Sequence, residues 1–481
     1  MRYFISLESF ARRLFLGIVL IILFITIALH FGLVDVGQWA NDDFSIVNSY
    51  RDDNWATFGD RLMHWSPRPL SELLIWAYAC LVNWTHKPLI GVFLGLLWLP
   101  LILAPVISFM QIRHKFSGEP RKSLAFLSLF AFGLIALFLL EHSPGELFYW
   151  PVGAAAYLTT LSAISLCFFQ LSFDLTENRR GRVITGMALV IAAGSSETGA
   201  FFVIAFGSLY LLDTFWIGIY PRQRLWCLLP MVIAIGVFGL LLHSRSGNQE
   251  AIVGTVEYHN LWLSLKAAFG QTLKEYCVSA KHAHPRGILL GLLLKACFFV
   301  AVRCCWLCSG LKAPRKDMLF VFGASVIATT CFSLTATYYV YGGLVNSWHE
   351  ELRQCLVMLL IASAGLLSCH YHARVKNLQR WEWLGAGFMF ITLMLVVPAR
   401  VNPLIHDYSN YSICIVNREK SWESGLSDGN TMTWYSPPMG RVASTFIFPP
   451  GVYSTASKGP DYAIYMLRFF HKERLEIRSR L

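Results

Sequence analysis

Residues Leu14–Leu29 read LFLGIVLIILFITIAL, a run without a single charge. Apolar residues continue to Val34, so the run can cross the roughly 30 Å hydrocarbon core of a bilayer as one helix. It is too long for a signal-peptide core, and no A-x-A cleavage signal follows it. It therefore reads as a retained span. A second run of this kind, Leu89–Met110, argues against a β-barrel, whose strands would alternate in polarity.

The composition agrees with these runs. Of 481 residues, 55% are hydrophobic and 14% charged, where a soluble domain has about 25% charged. A soluble globular enzyme, a disordered chain and a secreted disulfide scaffold are thereby excluded. The expected fold class is an all-α polytopic membrane protein. A net charge of +11 would suggest nucleic acid for a soluble chain. Here basic cytoplasmic loops account for it, and no nucleic-acid partner is expected.

Eleven spans are predicted, at 14–34, 88–110, 124–141, 151–171, 183–196, 198–218, 225–243, 287–308, 318–338, 353–371 and 383–398. Leu70–Trp84, bracketed by Pro69 and Lys87-Pro88, carries Ser71, Glu72 and Asn83 and covers only about 23 Å as a helix. If it lies in the interface, the loops on the N-terminal side hold about twice the Lys and Arg of the opposite loops, which puts the N-terminus in the cytoplasm. If it crosses, a twelve-span chain with its N-terminus outside results, and Arg2, Arg12 and Arg13 lie outside against the first span. The first arrangement is preferred. It gives a membrane domain at 1–398 and an outer-face domain at 399–481. Within the membrane domain, 35–87 is a first outer loop with interfacial helices, and 244–286 is a second large outer loop.

In that second loop Leu261, Leu265, Ala268, Thr272 and Tyr276, with Trp262, Phe269 and Leu273, follow helical spacing. Asn260, Ser264, Gln271, Lys274 and Glu275 fall mostly opposite, which predicts an interfacial amphipathic helix. The tail, with Pro437-Pro438, Pro449-Pro450 and the β-prone runs Ser412–Val416 and Ser444–Phe448, is expected to be partly β. The cysteines sit mostly inside apolar runs, and Cys305-x-x-Cys308 lacks the second ligand pair that zinc would need.

Scarce polar residues on the expected outer face are the candidates for chemistry. Asp42 and Asp43 adjoin the first span. Such a pair can supply a general base, hold a divalent cation, or simply be solvated beyond a helix end. Arg68 lies between Pro67 and Pro69, which restrict the backbone around it. A fixed guanidinium there suits a phosphate, or snorkels beside Trp65. Glu72 follows in the same stretch. Glu197 stands at the apex of two short helices in an otherwise apolar stretch, a costly place for a carboxylate unless it has a function or sits in a capped first turn. His349, Glu350 and Arg353 open a span, with Arg353 placed to face lipid phosphate or to snorkel. Glu146, His142 and Tyr149 occupy the short 142–150 loop. There is no P-loop, GxGxxG or HExxH motif, and no large cytoplasmic domain to bind a nucleotide. A substrate delivered through the membrane is the reading that follows.

The acidic pair after an N-in first span, the W-x-x-R-P-L stretch at Trp65–Leu70, about eleven spans and an outer C-terminal domain resemble the GT-C class of integral membrane glycosyltransferases. Within that class the chain is similar to bacterial O-antigen-modifying glucosyltransferases. The resemblance covers the whole chain as architecture, but only Asp42, Asp43 and the Arg68-Pro69 region as motif. It implies a bacterial inner-membrane enzyme with a periplasmic active site. That enzyme would move a sugar from a polyprenyl-phosphate donor to a glycan or glycolipid acceptor with inversion. Asp42 or Asp43 would be the base, Arg68, Arg353 and His349 would hold the donor phosphate, and Glu72, Glu146, Glu197 and Glu350 would be further site positions. No cofactor is required, although a divalent cation is compatible. A flippase or transporter of lipid-linked sugar, or a glycan polymerase or ligase, is the alternative.

Overall fold

The structure is a computed structural model. It describes residues 2–39, 41–65, 67–113, 120–140, 145–217, 225–245, 259–277, 285–344, 347–374, 398, 401–436, 442–443, 448–455 and 459–479. It is mostly helical. In chain order the helices are α1 (Arg2–Gly32), α2 (Asn41–Asp60), α3 (Pro69–Thr85), α4 (Ile90–Ile112), α5 (Pro120–Leu140), α6 (Gly145–Phe148), α7 (Pro151–Ser172), α8 (Arg179–Ser195), α9 (Glu197–Ile217), α10 (Leu228–Arg245), α11 (Leu261–Cys277), α12 (Pro285–Ser309), α13 (Lys316–Tyr341) and α14 (Ser347–Ser368).

Among the described residues, eight helical stretches are long and apolar enough to cross a membrane. They are Gly17–Val36, Ile90–Ile112, Arg121–Leu140, Pro151–Ser172, Leu225–Ser244, Gly291–Ser309, Lys316–Tyr341 and His349–Tyr371. Each coincides with a predicted span. The predicted spans 183–196 and 198–218 are helices too, α8 and α9, but neither is among the eight. The predicted span 383–398 lies, apart from Pro398, outside the described residues. Large apolar side chains such as Leu229, Val232 and Phe320 are exposed on the spans, as expected where the solvent for those faces is lipid. α7 is the central post. It is apolar all round, nearly every residue is buried, and it packs on α3, α4, α8 and α14.

Two features differ from the sequence reading. Ser412–Val416 is not strand but part of a helix, Tyr411–Leu426. Its buried residues Cys414, Asn417, Ser421, Trp422 and Gly425 keep helical spacing, and that periodicity overrides the local β-propensity. On α11, the residues buried against the protein are Ser264, Ala268, Thr272 and Glu275, while Trp262, Phe269 and Leu273 point outward. The helix was expected, but two of its polar residues turn inward because Glu275 has an ion-pair partner inside.

Strands Thr431–Tyr435, Gly451–Ser454 and Arg474–Arg478 (β1–β3) form a small sheet in the order β1-β3-β2. β1 and β3 run parallel, and β2 is antiparallel to β3. The expected strand at Ser444–Phe448 falls mostly outside the described residues. The tail is docked on the 35–60 segment by an aromatic knot. Trp39 meets Phe44, Trp422 and Phe469 edge-on, with ring centroids 5.0, 5.1 and 5.5 Å apart. Arg418 holds Asp35 at 3.3 Å, and the Trp422 Nε1–H donates to the His86 carbonyl at 2.6 Å.

Candidate functional site

Three residues singled out from separate stretches of sequence meet at one end of the bundle. Arg68 Nε donates to Glu197 Oε2 at 2.8 Å. The Arg68 guanidinium lies 5.2 Å from the centre of the Tyr157 ring, within cation–π range. The Tyr157 hydroxyl lies 3.3 Å from His349 Nε2, and Glu197 also faces His349 electrostatically.

Local sequence explains the meeting. Ser196 is extended, at φ −157° and ψ 160°, so α8 stops and α9 begins within one residue. The Ser196 hydroxyl accepts the Gly199 amide at 3.0 Å, a cap on the α9 first turn that contains Glu197. Gly199 is the close approach of this hairpin. A Cβ there would sit 1.9 Å from the Ala192 carbonyl oxygen. Gly194 lies against Leu70, where a Cβ would be 3.3 Å from the Leu70 Cβ. That contact brings the Pro69 start of α3, and Arg68 before it, alongside Glu197. Thr160 on α7 closes the base through a 2.8 Å hydroxyl pair with Ser196.

A second lobe adjoins the first. Glu72 is buried and takes both prongs of Arg61, at 2.8 and 2.9 Å, and the Tyr50 hydroxyl at 3.0 Å. Arg61 is close enough to act on both Asp42 and Arg68.

The acidic pair divides its roles. Asp43 is fully buried and accepts the Trp150 Nε1–H at 2.7 Å. Asp42 keeps its side chain in solvent, but it sits in the first turn of α2 with protein mass around it. That surrounding mass raises its carboxyl above the usual carboxylate range, and Arg61 partly offsets the rise.

Arg353 is corrected. It does not face lipid phosphate. Its guanidinium is locked onto Glu275 by two contacts of 2.9 Å, with side-chain exposures of 2% and 0%. An arginine one turn inside a span has to be neutralised, and α11 supplies the carboxylate. Glu350 is half-buried in the first turn of α14. Its neighbour Glu351 does the bridging there, accepting the Leu147 amide at 3.1 Å. Glu146 lies in α6, and its side chain is outside the described residues, as is His142.

Sequence reasoning missed Tyr157, Arg61 and Trp150. Tyr157 hides in an apolar run, and only its single hydroxyl marks it. No group of three or more His, Cys, Asp or Glu that could hold a metal ion occurs among the described residues.

Scanned against known protein families the sequence matches none, and no curated protein is similar to it.

Proposed function

We propose that the chain is an integral membrane glycosyltransferase of GT-C type. It would transfer a sugar from a polyprenyl-phosphate donor to a glycan or glycolipid acceptor, such as O-antigen, on the outer face of a bacterial inner membrane. The observation that carries this reading is the convergence of Arg68, Glu197, Tyr157 and His349 at one end of an apolar bundle, with Arg61 as the charged link between Arg68 and a solvent-facing carboxylate, Asp42. Three of the eleven spans of this reading, 183–196, 198–218 and 383–398, rest on sequence.

In this reading Asp42 is the base and Asp43 a positioning residue held by Trp150. Asp42 takes the proton of an acceptor hydroxyl, and that oxygen attacks the anomeric carbon. The bond from that carbon to the phosphate oxygen breaks, and the lipid phosphate leaves with the electron pair. Arg68 lies where the leaving charge develops, and His349 and Tyr157 shape its surroundings.

The test is mass analysis of surface glycan from cells with wild-type protein, without it, and with Asp42→Asn. An added hexose that disappears in both altered strains supports transfer. An unchanged glycan with altered distribution of the lipid carrier would instead support flipping.

A further inference from the structure

Among the described residues, three arginine–carboxylate pairs have neither side chain more than 18% exposed, and they are not built alike. Arg61–Glu72 and Arg353–Glu275 are two-pronged, with both carboxylate oxygens engaged. Arg68–Glu197 is joined by Nε alone. A guanidinium carries five N–H groups in a planar fork. Among the described residues no protein group takes the remaining four of Arg68, and the Tyr157 ring lies close to it. The side chain is 18% exposed, so it is not sealed from solvent.

Glu197, for its part, does not depend on Arg68 alone. It stands in the first turn of α9, where helix amides favour negative charge, and it faces the His349 imidazole. Arg68, Tyr157 and His349, from the α3 start, α7 and α14, are the charged and titratable groups that face it.

We infer that Glu197 is an internal stand-in on an anion seat at Arg68, and that the phosphate of a lipid-linked diester displaces it. This rests on the phosphate role of Arg68 proposed above. On the guanidinium one single negative charge replaces another, while the pocket as a whole gains one negative charge, placed where the α9 start favours the displaced carboxylate. The incoming phosphate gains the two-pronged geometry that Glu197 does not use. The displaced carboxylate remains supported by its helix start and His349. The seat is therefore closed when empty, and an anion must compete with Glu197 to open it.

The test measures binding of the methyl ester of farnesyl phosphate, a diester with one charge and a prenyl chain, to the full-length protein in detergent. Dimethyl phosphate and inorganic phosphate serve as chain-free competitors. Removing the internal competitor in Glu197→Gln should tighten diester binding about tenfold, and Arg68→Gln should weaken it at least tenfold. Glu197→Asp, which keeps the charge but shortens the reach to Arg68, should also tighten it, and it carries the test if Glu197→Gln does not fold. If Arg68→Gln weakens binding while both Glu197 variants bind like wild type or more weakly, the exchange is wrong and the phosphate role of Arg68 stands. If Arg68→Gln binds like wild type, both fail. Displacement of the diester by inorganic phosphate at a lower concentration than the diester itself would overturn the lipid source.

Discussion

Glu275 and Arg353 face each other through two contacts of 2.9 Å, both closed to solvent, and so fasten α11 to the first turns of α14. Removing one partner leaves an uncompensated buried charge, which costs about 3–5 kcal/mol. Glu275→Ala should therefore lower the thermal unfolding midpoint of the purified protein sharply. The double variant Glu275→Leu/Arg353→Met removes both charges and should recover most of that loss. A double variant no more stable than either single one would show that the pair is not the source of the effect.

The rise in proton affinity at Asp42 predicts a pH profile. A base works only when ionised, and surrounding protein favours the neutral form while Arg61 opposes this more weakly. If Asp42 is the base of the proposed transfer, the rate should increase with pH through a midpoint above the ordinary carboxylate value. Arg61→Gln removes the opposing charge and should move that midpoint further up, measured as kcat/KM against pH. A midpoint that shifts down, or stays fixed, contradicts Asp42 as the base.

Trp150→Phe keeps a buried ring but removes the N–H that holds Asp43. If Asp43 positions the α2 start, the variant should lower kcat and leave KM nearly unchanged. Fold retention would be checked by its unfolding midpoint.

The α8–α9 hairpin should tolerate almost nothing at Gly199. An added methyl meets the Ala192 carbonyl oxygen at 1.9 Å, so Gly199→Ala must push the two helices apart and move Glu197 away from Arg68. Ser196→Ala loses the cap, at a cost of about 1 kcal/mol, and the hydroxyl contact with Thr160, but forces no helix apart. Unfolding midpoints should rank wild type above Ser196→Ala above Gly199→Ala.

The spans were legible because a bilayer demands about twenty apolar residues in a row, and that requirement is local in sequence. Eight predicted spans recur as helices long and apolar enough to cross. The site was legible only in part. Arg68, Glu197 and His349 stood out because polar residues are rare in such surroundings, but their meeting depends on how four helices pack. Arg353 misled for the same reason. Sequence showed a charge near a helix end, while its partner Glu275 lies on a helix 78 positions earlier in the chain. The inward polar residues of α11 were hidden by the habit of reading apolar residues as inward, which fails where lipid is the solvent.

The aromatic knot joins the first and last parts of the chain. Trp39 and Phe44, near the start, are enclosed by Trp422, Trp434, Phe469 and Phe470. A ribosome makes these groups more than 370 residues apart. During synthesis the α2 start, which carries both aspartates, is therefore without this aromatic shell until residues 422–470 are made, although Trp150 is already there to hold Asp43. A chain stopped at residue 410 should therefore be cleaved by protease within 43–50, a stretch that is buried or half-buried throughout in the 481-residue chain.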